Sequence, residues 1–175
     1  MIKNKPIHLI VFTLLCFSFL LSGCVNEDTP DEEGITVGDY LPPFAVIMDN
    51  GKQITSGDFI GKVGFIIFFN TNCKDCRKEL PEVEKLWEEF KDNADVLIVA
   101  ISREESEEEI IKYWEENNLT VPFSPQTDRE IYSLFARSSI PRIYITDKTG
   151  KVIFTSDDTD LPSFATLSSK IESVL

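Results

Sequence analysis

The chain is poorly supplied with soft metal ligands: it has one histidine, His8, and four cysteines, Cys16, Cys24, Cys73 and Cys76. A structural zinc site takes about four Cys or His ligands. His8 and Cys16 both fall in a stretch laid out like a removable leader, so no metal centre is expected. Basic residues are scarce as well, 17 against 30 acidic ones, for a net charge of −13. Such a surface repels phosphate, which argues against nucleic acid and anionic head groups as partners. Long apolar runs are missing beyond the N-terminus. The extended one, Ile7 to Leu21, is about fifteen residues, short of the roughly 20 that cross a bilayer as a helix. At 175 residues the chain can bury one ordinary core without cross-links, so a disulfide here is expected to be functional.

What the N-terminus does carry is a secretory layout. Lys3 and Lys5 precede the apolar run, and Ser22 and Gly23 lead into Cys24. The ending "LSGC" resembles the bacterial lipobox, which implies cleavage after residue 23, a diacylglycerol on Cys24 and a membrane contact made by that lipid. An uncleaved N-terminal anchor is the alternative. Either places the domain outside the cytoplasm, lipid-anchored in the first case. Loss of Lys3 and Lys5 with the leader takes the net charge to about −15, so lipid rather than charge must hold the membrane. Residues 24–38 read as the acylated cysteine and an acid-rich tether without apolar periodicity. Residues 39–175 read as the folded domain.

Within that domain "LPPFAVIMDNGKQITSGDFIGK" has a turn signal at Asn50-Gly51 between short segments, which predicts a β-hairpin. "VGFIIFF" (63–69) is an uninterrupted apolar run of strand length, expected in a central position with both faces covered. After the cysteines, Leu80, Val83, Leu86, Trp87 and Phe90 recur at helical spacing, and Pro81 predicts a bend one turn beyond Cys76. "DVLIVAISR" is the next buried strand. Ser106 with Glu109 forms a capping-box signature before a second helix, and Thr127 with Glu130 repeats it before a helix reaching Ala136. Val121 to Phe123 suits a short strand. "IPRIYITDKTGKVIFTS" reads as a hairpin about Lys148-Thr149-Gly150, and a last helix is expected to hold Pro162 in its first turn. This order predicts an α/β domain with a mixed central sheet, helices on both faces and an added N-terminal β-hairpin.

After processing, Cys73 and Cys76 are the thiols that remain. They follow a buried strand and open a helix, where unpaired N–H groups and the helix dipole favour an anion. A cysteine so placed in Cys-X-X-Cys can ionise anywhere from about 3.5 to 7.5 rather than near 8.5. Cys73 is therefore the expected nucleophile, and Cys76, one turn inside, the resolving thiol. A structural bridge is the competing reading. Closing so short a loop removes less chain entropy than the roughly 3 kcal/mol given for a fifteen-residue loop, so it would serve poorly as a staple.

Several further motifs accompany the pair: "VGDYLPPF", Gly61-Lys62 before the central strand, "CKDC", "ELP" at 79–81 and "IPRIYITDKTGK". Together they resemble the thioredoxin-fold proteins of the TlpA/ResA type, membrane-attached thiol-disulfide oxidoreductases of bacteria, over residues 36–175. The resemblance implies a thioredoxin-like fold with no cofactor beyond the redox-active Cys73–Cys76 pair. It implies a cis bond at Pro141, and at Ile140 a backbone free to pair with an extended substrate peptide. Glu79 matches an acidic residue beside the site, suited to exchanging a proton with Cys76; a solvated helix-surface glutamate is the plain alternative. Two departures stand out. Asn72 replaces the Trp that family members commonly carry before the first cysteine, giving the substrate lip a more polar character. Ile67 occupies the position of thioredoxin's buried Asp. Lys74 and Asp75, between the cysteines, oppose one another near the sulfur.

The partners so implied are thiols and disulfides of exported proteins, with an upstream membrane electron donor and the protein itself a monomer acting as a reductant. A peroxiredoxin-like thiol peroxidase is one rival, although Asn70 stands where that family's T-X-X-C pattern has its Thr. A binding lipoprotein with a vestigial dithiol is another.

Overall fold

The computed structural model describes residues 34–175. The leader, Cys24 and the tether up to residue 33 lie outside the described residues. Strand β3 (Val63–Phe69) carries no charged or hydrogen-bonding side chain, and all seven residues are buried. It occupies the middle of a five-stranded sheet. Helix α1 (Lys74–Phe90) crosses over to β4 (Val96–Ser102), which pairs parallel to β3 from Val63↔Val96 to Phe69↔Ser102. Helix α2 (Glu107–Asn117) leads to a two-residue β5 (Phe123–Ser124), parallel to β4. After a short α3 (Glu130–Ser133), β6 (Arg142–Thr146) returns antiparallel to β3, β7 (Val152–Ser156) pairs with β6, and α4 (Phe164–Glu172) closes the chain. The order is β5-β4-β3-β6-β7, with a separate hairpin of β1 (Ala45–Ile47) and β2 (Gln53–Thr55). This is the mixed sheet with an N-terminal hairpin that the sequence predicts.

Alternation along β3 sends adjacent aromatics to opposite faces. Phe69 packs on Trp114 of α2, at 5.1 Å between ring centroids, whereas Phe68 meets Tyr132 and Phe135 at and just beyond α3. Helical structure therefore covers both faces. The hairpin adds Phe44, whose ring lies 5.3 Å from that of Phe135.

Local signals account for most boundaries. Ser106 and Glu109 form the expected capping box of α2. Gly51 (φ +77°) and Gly150 (φ +79°) supply the left-handed backbone that the two hairpin turns require. Three details differ from the sequence reading. The Thr127–Glu130 capping box does not form: Asp128 accepts the Glu130 N–H instead, and α3 ends at Ser133. Pro162 precedes the N-cap of α4, Ser163, rather than lying inside the helix. The short strand sits at Phe123–Ser124, shifted toward the C-terminus. Contacts with the body of the domain begin before Asp39, since the Ile35 N–H donates to Phe135 O and the Gly38 N–H to Val152 O. Among the described residues no helix is long and apolar enough to cross a membrane.

Candidate active site

The site forms where β3 runs out. Its apolar run stops at Asn70, whose side chain folds the chain back on itself. Oδ1 accepts the Asn72 N–H at 2.8 Å, and Nδ2 donates to the carbonyls of Arg103 (2.9 Å) and Glu104 (3.3 Å). The Cys73 N–H closes the turn onto Asn70 O at 3.0 Å. Cys73 is then the N-cap of α1, with extended backbone (φ −78°, ψ 124°), and its Sγ accepts the Cys76 N–H at 3.4 Å. A sulfur thus takes the place usually held by a Ser, Thr or Asp oxygen. Both cysteines are free thiols, Cys73 half-buried and Cys76 fully buried.

A second loop meets this sulfur from the side. The Tyr132 hydroxyl donates to Ser139 O (2.7 Å) and Arg103 Nη1 to Ser138 O (2.9 Å), which fixes the segment ahead of β6. The Ile140–Pro141 peptide is cis, and the Cys73 thiol donates to Ile140 O at 3.4 Å. Ile140 and Pro141 are buried, while Asn72 is exposed at the rim. Beside Asn72 a groove of about 230 Å³ opens toward α2, with Arg77, Lys112 and Tyr113 among its walls. The Arg77 guanidinium lies 5.6 Å from the centre of the Tyr113 ring. The structure thus brings Cys73, Cys76, Ile140, Pro141 and Asn72 to one place.

Burial sets the electrostatics. It pushes the Cys76 thiol well above the ordinary cysteine range, and the neighbouring Cys73 sulfur acts in the same direction. Glu79, one turn further along α1, is 1% exposed, and its Oε1 has no hydrogen-bond partner among the described residues. Burial, then the charges of Glu82 and Asp160, raise its carboxyl to about 7. The side chain is therefore not on a solvated helix face. Between the cysteines, Asp75 is held below the usual carboxylate range chiefly by its hydrogen bond to Lys78, at 2.7 Å. Its charge is partly answered there rather than directed at the sulfur.

One element of the site escaped the sequence reading. Glu105, 2% exposed, takes the Thr71 N–H on Oε2 at 2.8 Å and the Thr71 hydroxyl on Oε1. The Thr71 carbonyl in turn accepts from Arg77 Nε. In the sequence Glu105 is one acid among several in "EESEEE", and nothing in that spacing separates it from its solvated neighbours.

Comparison with known proteins agrees with this geometry. The AhpC/TSA family model matches residues 37–155. The thiol-disulfide oxidoreductase ResA of Bacillus thuringiensis subsp. konkukian (strain 97-27) is 32% identical over 155 residues, spanning 86% of this chain and 87% of that protein. ResA of Bacillus subtilis (strain 168) is 30% identical over 122 residues, 70% of this chain and 68% of its own. Among solved structures, one from Bacteroides thetaiotaomicron, assigned provisionally as a protein disulfide isomerase, superposes with a TM-score of 0.75 at 30% identity. It covers 82% of this chain and 94% of that one. On these grounds the chain belongs to the AhpC/TSA family and is a thiol-disulfide oxidoreductase of the ResA/TlpA type, with Cys73 and Cys76 as its Cys-X-X-Cys pair.

Proposed function

We propose that this protein is an extracytoplasmic, lipid-anchored reductant of disulfides in exported proteins, with Cys73 attacking, Cys76 resolving and Glu79 handling the proton. The observation that carries this reading is the pairing of a half-buried N-cap sulfur with a fully buried second thiol one turn behind it. The Cys73 thiolate attacks a client disulfide, forming one S–S bond while the other client sulfur leaves and takes up a proton. Cys76, giving its proton to Glu79, then attacks Cys73 Sγ and releases the second client thiol. The client disulfide gains two electrons and the enzyme ends as the Cys73–Cys76 disulfide. A dithiol donor at the membrane must reduce it again.

The reductant direction is supported by the character of the reduced state. Strong oxidants of this class have a stabilised reduced form. Here burial works against ionisation of Cys76 and outweighs the opposing pull of the Arg103 charge. The buried cis-Pro141 and Ile140 make the wall along which an extended client lies, with Asn72 as its polar lip.

The test is reduction of insulin or a small aromatic disulfide by the purified protein, with Cys73→Ser as control. Turnover in wild type and none in the variant is expected. Equal rates would sink the reading, and rapid oxidation of the dithiol by hydrogen peroxide in place of a disulfide would favour the peroxidase. Anchoring is tested separately: the processed N-terminal peptide should begin at Cys24 and carry the mass of a diacylglycerol, and Cys24→Ala should leave the membrane fraction.

A further inference from the structure

We propose that Glu105 is a positioning residue for the nucleophile: its buried carboxylate clamps the Asn70–Cys73 turn through Thr71 and so holds the Cys73 sulfur in register with the end of α1. This rests on the reading of Cys73 as the attacking sulfur.

Four hydrogen bonds join the turn to the segment Arg103–Glu105, across a gap of more than thirty residues in sequence. Asn70 Nδ2 donates to the carbonyls of Arg103 and Glu104, and Thr71 spends both its backbone N–H and its hydroxyl on the single carboxylate of Glu105. The receiving segment is itself held in place. Glu104 adopts a left-handed backbone (φ +58°) that a non-glycine residue rarely takes, and the flanking N–H groups of Arg103 and Glu105 donate to Phe69 O and Gln126 O. The left-handed residue turns the chain between β4 and α2 so that Glu105 points back under the turn, while Glu107, Glu108 and Glu109 line the first turn of α2.

Stability alone does not call for a carboxylate here. Burying one is costly, and an apolar residue of similar volume commonly serves a core at least as well. Two acceptors fixed at hydrogen-bond spacing, however, can define the orientation of a backbone N–H and a hydroxyl at once. The fixed residue is two positions before Cys73. Its carbonyl accepts from Arg77, one residue past Cys76, so the network runs from the turn into the first turn of α1. The geometry it preserves is the 3.4 Å contact from the Cys76 N–H to Cys73 Sγ. A charge-assisted hydrogen bond to an anion disappears if the turn loosens.

The readout is the second-order rate of alkylation of Cys73 by iodoacetamide in the reduced protein at pH 7, with near-UV circular dichroism confirming the fold. Glu105→Ala should react about tenfold more slowly than wild type, the loss expected for a hydrogen bond to a charged group. Glu105→Gln, which can accept from the N–H while donating to the hydroxyl, should restore the rate to within about threefold. A folded Glu105→Ala that reacts at the wild-type rate, whatever its melting temperature, overturns the inference, as does a Gln variant no faster than Ala. If Glu105→Ala does not fold, Thr71→Val slowed with Thr71→Ser restored supports it, and both at the wild-type rate overturn it. A wild-type Cys73 no more reactive than in urea defeats the functional reading itself, and this inference with it.

Discussion

Glu79 stands one helical turn past Cys76 on α1, and both side chains are closed to solvent, at 1% and 0% exposure. The carboxyl, raised from 4.5 to about 7 mainly by burial, keeps in the folded state a proton that the unfolded chain releases. The folded protein therefore binds more protons across that window, and its stability falls as pH rises through it. The full shift corresponds to on the order of 3 kcal/mol. Urea unfolding of the reduced protein at pH 5 and pH 8 should show wild type losing about 2–3 kcal/mol more than Glu79→Gln over that interval. Glu105, whose carboxyl burial also raises, contributes with the same sign to both proteins and cancels in the difference. Equal pH slopes would remove Glu79 as a buried acid.

The two sulfurs differ in access, Cys73 half-buried and Cys76 fully buried, and the proposed roles rest on that difference. Brief alkylation of the reduced protein at pH 7 should label Cys73 at least about a hundredfold faster than Cys76, read by mass spectrometry of the digest. Cys76→Ser should accumulate a mixed disulfide between Cys73 and a client sulfur, stable until a thiol is added. Labelling of Cys76 first would reverse the assigned roles.

Gly64 faces Thr146 across the β3–β6 ladder, and a Cβ placed on it would lie 2.5 Å from Thr146 Oγ1 and 2.3 Å from Phe59 Cδ1. Gly64→Ala must push apart a fully buried layer, at a cost of about 1–3 kcal/mol. Thermal or urea unfolding checks this, and an unchanged midpoint would mean the layer yields freely.

At the same layer the Thr146 hydroxyl is buried without a hydrogen-bond partner among the described residues. Thr146→Val keeps the shape and removes the unanswered dipole, so stability should rise by about 1 kcal/mol. Disulfide reductase activity should stay unchanged, because Thr146 ends β6 at the opposite end from the Ile140–Pro141 loop. Destabilisation would point to a water held by that hydroxyl.

Much of this could be read from residue patterns. The run Val63–Phe69 announced a two-sided strand because nothing in it tolerates water, and Ser106 with Glu109 announced a helix start because capping chemistry is local. Glu79 was only half legible. It lies three residues after Cys76 and four before Val83, on the stripe that α1 buries, yet an acid on such a stripe ordinarily marks its edge. Glu105 was not legible at all. Its burial depends on the left-handed step at Glu104 and on a turn more than thirty residues earlier, neither of which leaves a periodic trace. The Thr127 cap failed for a local reason instead, since the adjacent Asp128 takes the Glu130 N–H.

The borders of the sheet carry a last implication. On one side the hairpin leans on β5: the Asp49 N–H donates to Phe123 O and the Ser124 hydroxyl to Ile47 O. On the other, Gly38 and Asp39 exchange backbone bonds with Val152, and Tyr40 bridges to Lys151 at the start of β7. An open ladder is a place where another chain can pair, strand upon strand. With each outer strand partly covered by the protein's own chain, less of the ladder stays open to lateral pairing with another polypeptide.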